Sequence, residues 1–233
     1  MQKKAKKVEN FSFFYIFSDF IYMKTTKSLF VTLFLFLTVI LLMFTGCKSL
    51  PRERPELSRL IADKGQLNAA QLAGFFLSKN PDHDADHIKA FAQYYIEEAA
   101  AEGINSDVAF AQMCLETGYL RFGGLVQPEF HNYCGLGAMS IEEPGCIFET
   151  EQLGVRAHIQ HLQAYATTED IVLNNELIDP RYSWVHKTKY IRTIFELTGT
   201  WAMDPEYGNK IDSILTAMED YILYSKPAKA WFF

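Results

Sequence analysis

After residue 67 apolar residues recur mostly at spacings of three and four, so the pattern predicts one helix after another. Asn68 starts the first, over 69–78, with a side-chain oxygen that can accept from free backbone N–H groups. Pro81 and the run Asp82-His83-Asp84-Ala85-Asp86-His87 open the second, which reaches Ala101 before Gly103 stops it. In the third, Ser106 and Asp107 form the start signal, Val108, Ala111 and Leu115 share one stripe, and Gly118 marks the end. Between 122 and 148 glycines and Pro128 and Pro144 separate short apolar runs, which predicts loops and at most a small hairpin. Helical spacing resumes with Leu153, Ala157, Gln160, His161 and Ala164, and Asp179-Pro180 interrupts it. Further helices are expected over 187–197 and 205–224, the last burying Ile211, Ile214, Leu215, Met218 and Ile222. No internal repeat appears.

The N-terminal pattern differs. A mostly apolar run of 16 residues, 29–44, follows Lys24 and Lys27 and precedes Thr45-Gly46-Cys47. It is short for a membrane span and has the length of an export-signal core. The small residues before Cys47 resemble a lipoprotein signal, in which that Cys becomes the lipidated first residue, although Phe44 departs from the usual aliphatic residue. The expected organisation is a mis-assigned leader at 1–22 before a natural start at Met23, a signal peptide at 23–46 and a tether at 47–66. A domain at 67–225 and a short tail at 226–233 follow. Within the tether, 57–62 has the pattern of a short helix.

Composition, 49% hydrophobic and 21% charged, suits one globular domain plus this leader. Removal of residues 1–46 takes away six lysines and two acids, leaving 16 basic against 26 acidic residues, a balance of −10. That excludes a general attraction to nucleic acid; an anionic glycan would have to be held by a local groove.

The candidate catalyst is Glu116, in the last turn of the third helix, held from behind by the core and followed by a glycine-rich loop. Burial there would raise its pKa toward a value useful for donating a proton. Three Asp and two His in the 82–87 cluster are explained by capping and the helix dipole rather than by metal, and no motif implies a cofactor.

Four stretches follow one another in order. They are Ala-Phe-Ala-Gln-Met-Cys-Leu-Glu-Thr-Gly-Tyr-Leu (109–120), His-Asn-Tyr-Cys-Gly-Leu-Gly-Ala (131–138), Gly-Val-Arg-Ala-His (154–158) and Trp-Ala-Met-Asp-Pro-Glu-Tyr-Gly (201–208). Together they resemble the glucosaminidase family of bacterial peptidoglycan hydrolases, glycoside hydrolase family 73, over about 67–224. The resemblance implies a mostly α, lysozyme-like α+β fold, with a helical lobe and a small loop or β-hairpin lobe flanking a glycan cleft. It also implies cleavage after N-acetylglucosamine, with a catalytic Glu at the position of Glu116.

A glycosidase also needs a group facing the cationic sugar. Glu142 and Glu143, with Glu149 just beyond, lie where the resemblance implies a second carboxylate, though the hairpin is short and a solvated loop tip explains them as well. Participation of the substrate's own N-acetyl group is the other route. The resemblance places Tyr207 in the active site. Asn132 and Tyr133 suit an N-acetyl sugar, an amide beside a flat ring, with turn formation as the competing explanation for Asn132. Trp201 completes the substrate-binding set, as a packing anchor with its N–H satisfied nearby, and Asp204 is a natural N-cap. His131, His158 and His161 read as structural, and Cys114 as a core thiol. Cys134 and Cys146 bracket the expected hairpin, and an exported protein could join them by a disulfide.

The expected protein is thus a lipid-anchored, exported endo-β-N-acetylglucosaminidase whose partners are peptidoglycan strands and the membrane, and which works as a monomer. The rivals are a muramidase or lytic transglycosylase on the same fold, and a non-catalytic glycan-binding lipoprotein.

Overall fold

The computed structural model describes Val31, residues 54–170 and residues 172–225. The leader, the signal peptide apart from Val31, lipidation at Cys47 and the tail at 226–233 lie outside the described residues. From 54 onward the described residues form six α-helices and two 3-10 turns, with isolated bridges in place of strands.

Helix α1, Ala69–Lys79, begins at a reciprocal cap: Asn68 accepts from the Gln71 N–H and the Gln71 side chain accepts from the Asn68 N–H, both at 3.0 Å. Helix α2, Ala85–Glu102, is capped by Asp84 and ended by Gly103 at φ 68°, a left-handed value that glycine adopts without strain. Helix α3, Ser106–Glu116, starts one residue earlier than the sequence signal indicated. Asn105 caps it, while the Asn105 amide donates to the Ser58 and Leu60 carbonyls. Asp107 is buried, its carboxylate accepting the Gln66 and Leu67 N–H groups at 2.7 and 3.2 Å. Every residue of α3 from Ser106 to Cys114 is buried, so the expected one-sided stripe is a helix enclosed on all sides. Helix α4, Glu151–Ala166, packs on α2; α6, Tyr207–Tyr224, packs on α3. On α6 Ile211, Leu215 and Met218 are buried, with Ile214 and Ile222 half-buried.

Three expectations are corrected. The helix placed at 187–197 ends early: α5 covers Tyr182–Thr188 and the chain is then extended, because the Ile191 N–H bonds the Tyr165 carbonyl and Thr193 bridges Leu60. β-branched Thr188, Ile191 and Thr193 favour that extension. A 3-10 turn, Ile194–Leu197, then starts from a Thr193–Glu196 capping box. The second half of the expected tether, 54–66, is part of the folded unit. Leu57 and Ile61 are buried, and 59–61 exchanges backbone bonds with 192–194 rather than forming the expected short helix. Asp204 does not cap α6. It accepts from the Glu206 N–H in a turn and pairs with Lys210, and Glu206 occupies the cap position.

The second lobe, from 117 to 150, has a small core of Cys134, Leu136 and Phe148, closed by Ala157 of α4. The expected hairpin is a single bridge, Ala138 to Pro144. Gly154 of α4 lets this lobe dock: a Cβ there would lie 1.7 Å from the His131 carbonyl oxygen.

Candidate active site

Glu116 ends α3, and the chain turns sharply after it. Gly118, Tyr119 and Leu120 all have φ near +60°, a left-handed turn that costs about 1 kcal/mol or more for each residue with a side chain. It is held by the Thr117 hydroxyl accepting from Leu120 N–H at 2.8 Å and by the Asn80 amide on the Tyr119 carbonyl, also at 2.8 Å. After this turn Glu116 is left exposed to solvent at the end of α3.

Two donors converge on one oxygen of that carboxyl. The Tyr207 hydroxyl donates to Glu116 Oε1, and Trp201 Nε1–H donates to the same atom at 3.1 Å. Oε2 has no hydrogen-bond partner among the described residues and faces Gly135, whose missing Cβ would stand 3.8 Å from it. Glu116 keeps contact with solvent, yet the protein packed around its carboxyl removes part of its hydration, and this raises its pKa above the ordinary carboxylate value. The two donations pull the other way. The result is a carboxyl with one fixed oxygen and one free oxygen able to carry a proton.

Both donors are themselves held from behind. Gln112, one turn before Glu116 on the same helix face, donates its amide N–H to the Tyr207 oxygen at 2.9 Å. Since the Tyr207 proton is committed to Glu116, its oxygen must accept, which turns the Gln112 carbonyl toward His158 Nε2 at 3.1 Å. His158 therefore carries its proton on Nε2 and accepts the Tyr95 hydroxyl at Nδ1, 3.1 Å away. All of these side chains are buried, and burial lowers the His158 pKa to about 3, so the ring is neutral. The chain of donations runs one way, Tyr95 to His158 to Gln112 to Tyr207 to Glu116. Trp201 is flanked by His161, ring centroids 4.9 Å apart, and by Tyr165 at 5.3 Å. His161 is fixed by the buried Asp179 carboxylate at 2.7 Å.

Of the residues singled out from sequence, the fold brings Glu116, Tyr207 and Trp201 together. The N–H of Trp201 is satisfied by the acid itself. Asn132 and Tyr133 are corrected. The Asn132 amide donates to the Leu136 and Cys146 carbonyls and accepts from the Leu136 and Cys134 N–H groups, so the loop uses its whole capacity. Tyr133 is buried edge-on against Phe91. Glu142 and Glu143 are exposed at the loop tip, Glu142 bonded to the Ser140 hydroxyl at 2.8 Å. Cys134 and Cys146 are free thiols, not a disulfide: the loop is already closed by the Asn132 amide and by the Cys146 N–H on the Leu136 carbonyl at 2.8 Å. Cys114 is buried in the core. His131 bonds the Phe148 carbonyl at 2.9 Å, and His87 of the polar cluster meets Glu151 at 3.0 Å. Among the described residues no group of three His, Cys, Asp or Glu side chains is arranged to hold a metal ion.

Gln112 and His158 were missed as members of the site. The signal was there for Gln112, the lone amide in an apolar stretch and four residues before the candidate acid.

The sequence profile of the Glucosaminidase family, described as mannosyl-glycoprotein endo-beta-N-acetylglucosaminidase, matches residues 92–220. A protein of Borreliella burgdorferi described as uncharacterized is 39% identical over 161 residues, 69% of this chain and 78% of its own length. No solved structure matches the chain.

Proposed function

Because this chain belongs to the glucosaminidase family, we propose that it is an endo-β-N-acetylglucosaminidase cutting the β-1,4 bond between N-acetylglucosamine and N-acetylmuramic acid in peptidoglycan, with Glu116 as general acid. The observation that carries the reading is the convergence of Tyr207 and Trp201 on one Glu116 oxygen while the other faces the open loop at Gly135.

In this reading Glu116 Oε2 gives its proton to the glycosidic oxygen as the bond from C1 to that oxygen breaks. With Glu142 and Glu143 turned to solvent at a loop tip, the substrate's own acetamide oxygen is the group that attacks C1. Water then opens the cyclic intermediate and returns its proton to the Glu116 carboxylate, leaving a reducing N-acetylglucosamine end. Tyr207 and Trp201 hold the carboxyl in place through both proton transfers. The test is digestion of purified peptidoglycan with borohydride reduction and mass spectrometry. Reduced N-acetylglucosamine ends support the reading, and reduced muramic or anhydro-muramic ends sink it in favour of a muramidase or lytic transglycosylase.

Export and lipid anchoring through Cys47 are part of the same proposal, supported by the apolar run at 29–44 before Thr45-Gly46-Cys47. Metabolic labelling with a palmitate analogue, lost in Cys47→Ala, tests them.

A further inference from the structure

Beside Glu116 lies a hollow of about 230 Å³, walled by Gly135, Ala138, Tyr165, Arg181, Trp184 and Trp201. It adjoins the acid through Trp201, whose ring lines the hollow and whose N–H reaches Glu116. Two of its residues have no structural explanation. Trp184 is 57% exposed, an unusual state for the largest aromatic. The Arg181 guanidinium lies 5.3 Å over the Trp184 ring, yet no carboxylate among the described residues comes within ion-pair distance of it. In this acidic chain Arg54, Arg59 and Arg156 each meet a carboxylate, at 3.0, 2.7 and 2.9 Å. The acid closest in sequence, Asp179, is fully committed: Oδ2 to His161, and Oδ1 to the backbone N–H of Arg181 itself at 2.8 Å. Asp179 thus anchors the backbone of Arg181 and leaves its side chain unpaired at the rim of the hollow.

We propose that this hollow is a subsite for a carboxylate-bearing part of the glycan, with Arg181 as the anion-binding group and Trp184 as the flat surface on which a sugar ring packs. The inference rests on the reading of the Glu116 cleft as a glycan site. A planar guanidinium already stacked on an indole presents its outer N–H fork to a carboxylate with little ordering cost. The carboxylate has two sources in peptidoglycan, the peptide stem or the lactyl group left free when the peptide is removed.

The experiment measures binding and cleavage on three polymers: peptide-bearing peptidoglycan, peptide-stripped strands with free lactyl carboxylates, and neutral N-acetylglucosamine oligomers. Binding is read on Glu116→Gln protein, with and without Arg181→Gln, so an inactive parent would sink the proposed activity and still leave the subsite tested. Arg181→Gln is expected to weaken binding roughly tenfold on one or both carboxylate-bearing polymers, while the neutral oligomer, which offers no carboxylate, binds as it does to the parent. The polymer affected identifies the source. Arg181→Lys should recover part of the loss, and Trp184→Ala should weaken binding to all three. An Arg181→Gln effect that is absent, or equal on all three polymers, overturns the inference.

Discussion

At Glu116 the geometry divides the two carboxyl oxygens, one bonded by Tyr207 and Trp201 and one left free. Since burial raises its pKa and the two donors lower it, the basic limb of a pH-rate profile belongs to this group, activity being lost as pH rises through that pKa. Tyr207→Phe removes a lowering contribution. The limb is therefore expected to move to higher pH while kcat falls by about tenfold or more, and a kcat/KM profile beside a thermal melt checks both. His158 carries a separate prediction. Its pKa is near 3 when folded against 6.5 unfolded, so its contribution to stability is whole above pH 6.5 and shrinks as pH falls toward 3. Urea midpoints of parent and His158→Gln should lie far apart at pH 7 and converge at pH 4.5; a constant gap would mean that the ring is not buried neutral. In the sequence Glu116 and Tyr207 were legible because motifs carry them, and Trp201 through the same stretch. Gln112 and His158 were not, since a donation chain joins α2, α3, α4 and α6 and no spacing along one helix reports it.

At the scale of elements, the helices whose caps are local were legible to within a residue or so. Asn68, Asp84 and Gly103 act on their own neighbours. Elements settled by distant partners were not. The stretch after Thr188 has helical spacing but is drawn out by pairing with Tyr165 and Leu60. Asn132 is the local case: three of its four bonds reach residues no more than four positions on, the turn formation that the sequence offered beside a sugar contact. The joint between the lobes rests on Gly154, where any Cβ meets the His131 carbonyl. Gly154→Ala is therefore expected to destabilise by about 1–3 kcal/mol and to reduce activity further than stability alone explains, because the loop it displaces carries Gly135 beside Glu116. Denaturant midpoints and specific activity, compared with Gly199→Ala as a glycine at φ +74° with no neighbour within 4 Å, separate docking from backbone strain.

For the whole molecule, the folded unit begins before the boundary read from composition. Leu57 and Ile61 are in the core and Arg59 pairs with Asp212 and Glu219 of α6, so residues 54–66 belong to the folded unit. Pro51, Pro55 and alternating charge disguised this, because one buried residue in four is a weak signal in so short a stretch. A protein beginning at residue 54 should melt with the longer form. One beginning at 67 should lose several kcal/mol, about 2 for each of the two buried side chains, and calorimetry on the pair decides. The most direct measurement is digestion of purified peptidoglycan by residues 48–233 and by the same protein with Glu116→Gln, both checked for folding and both read by mass spectrometry after borohydride reduction. Reduced N-acetylglucosamine ends from the parent alone are the expected result; equal products from both proteins, or none from a folded parent across a wide range of pH, would contradict Glu116 as the acid of a glucosaminidase.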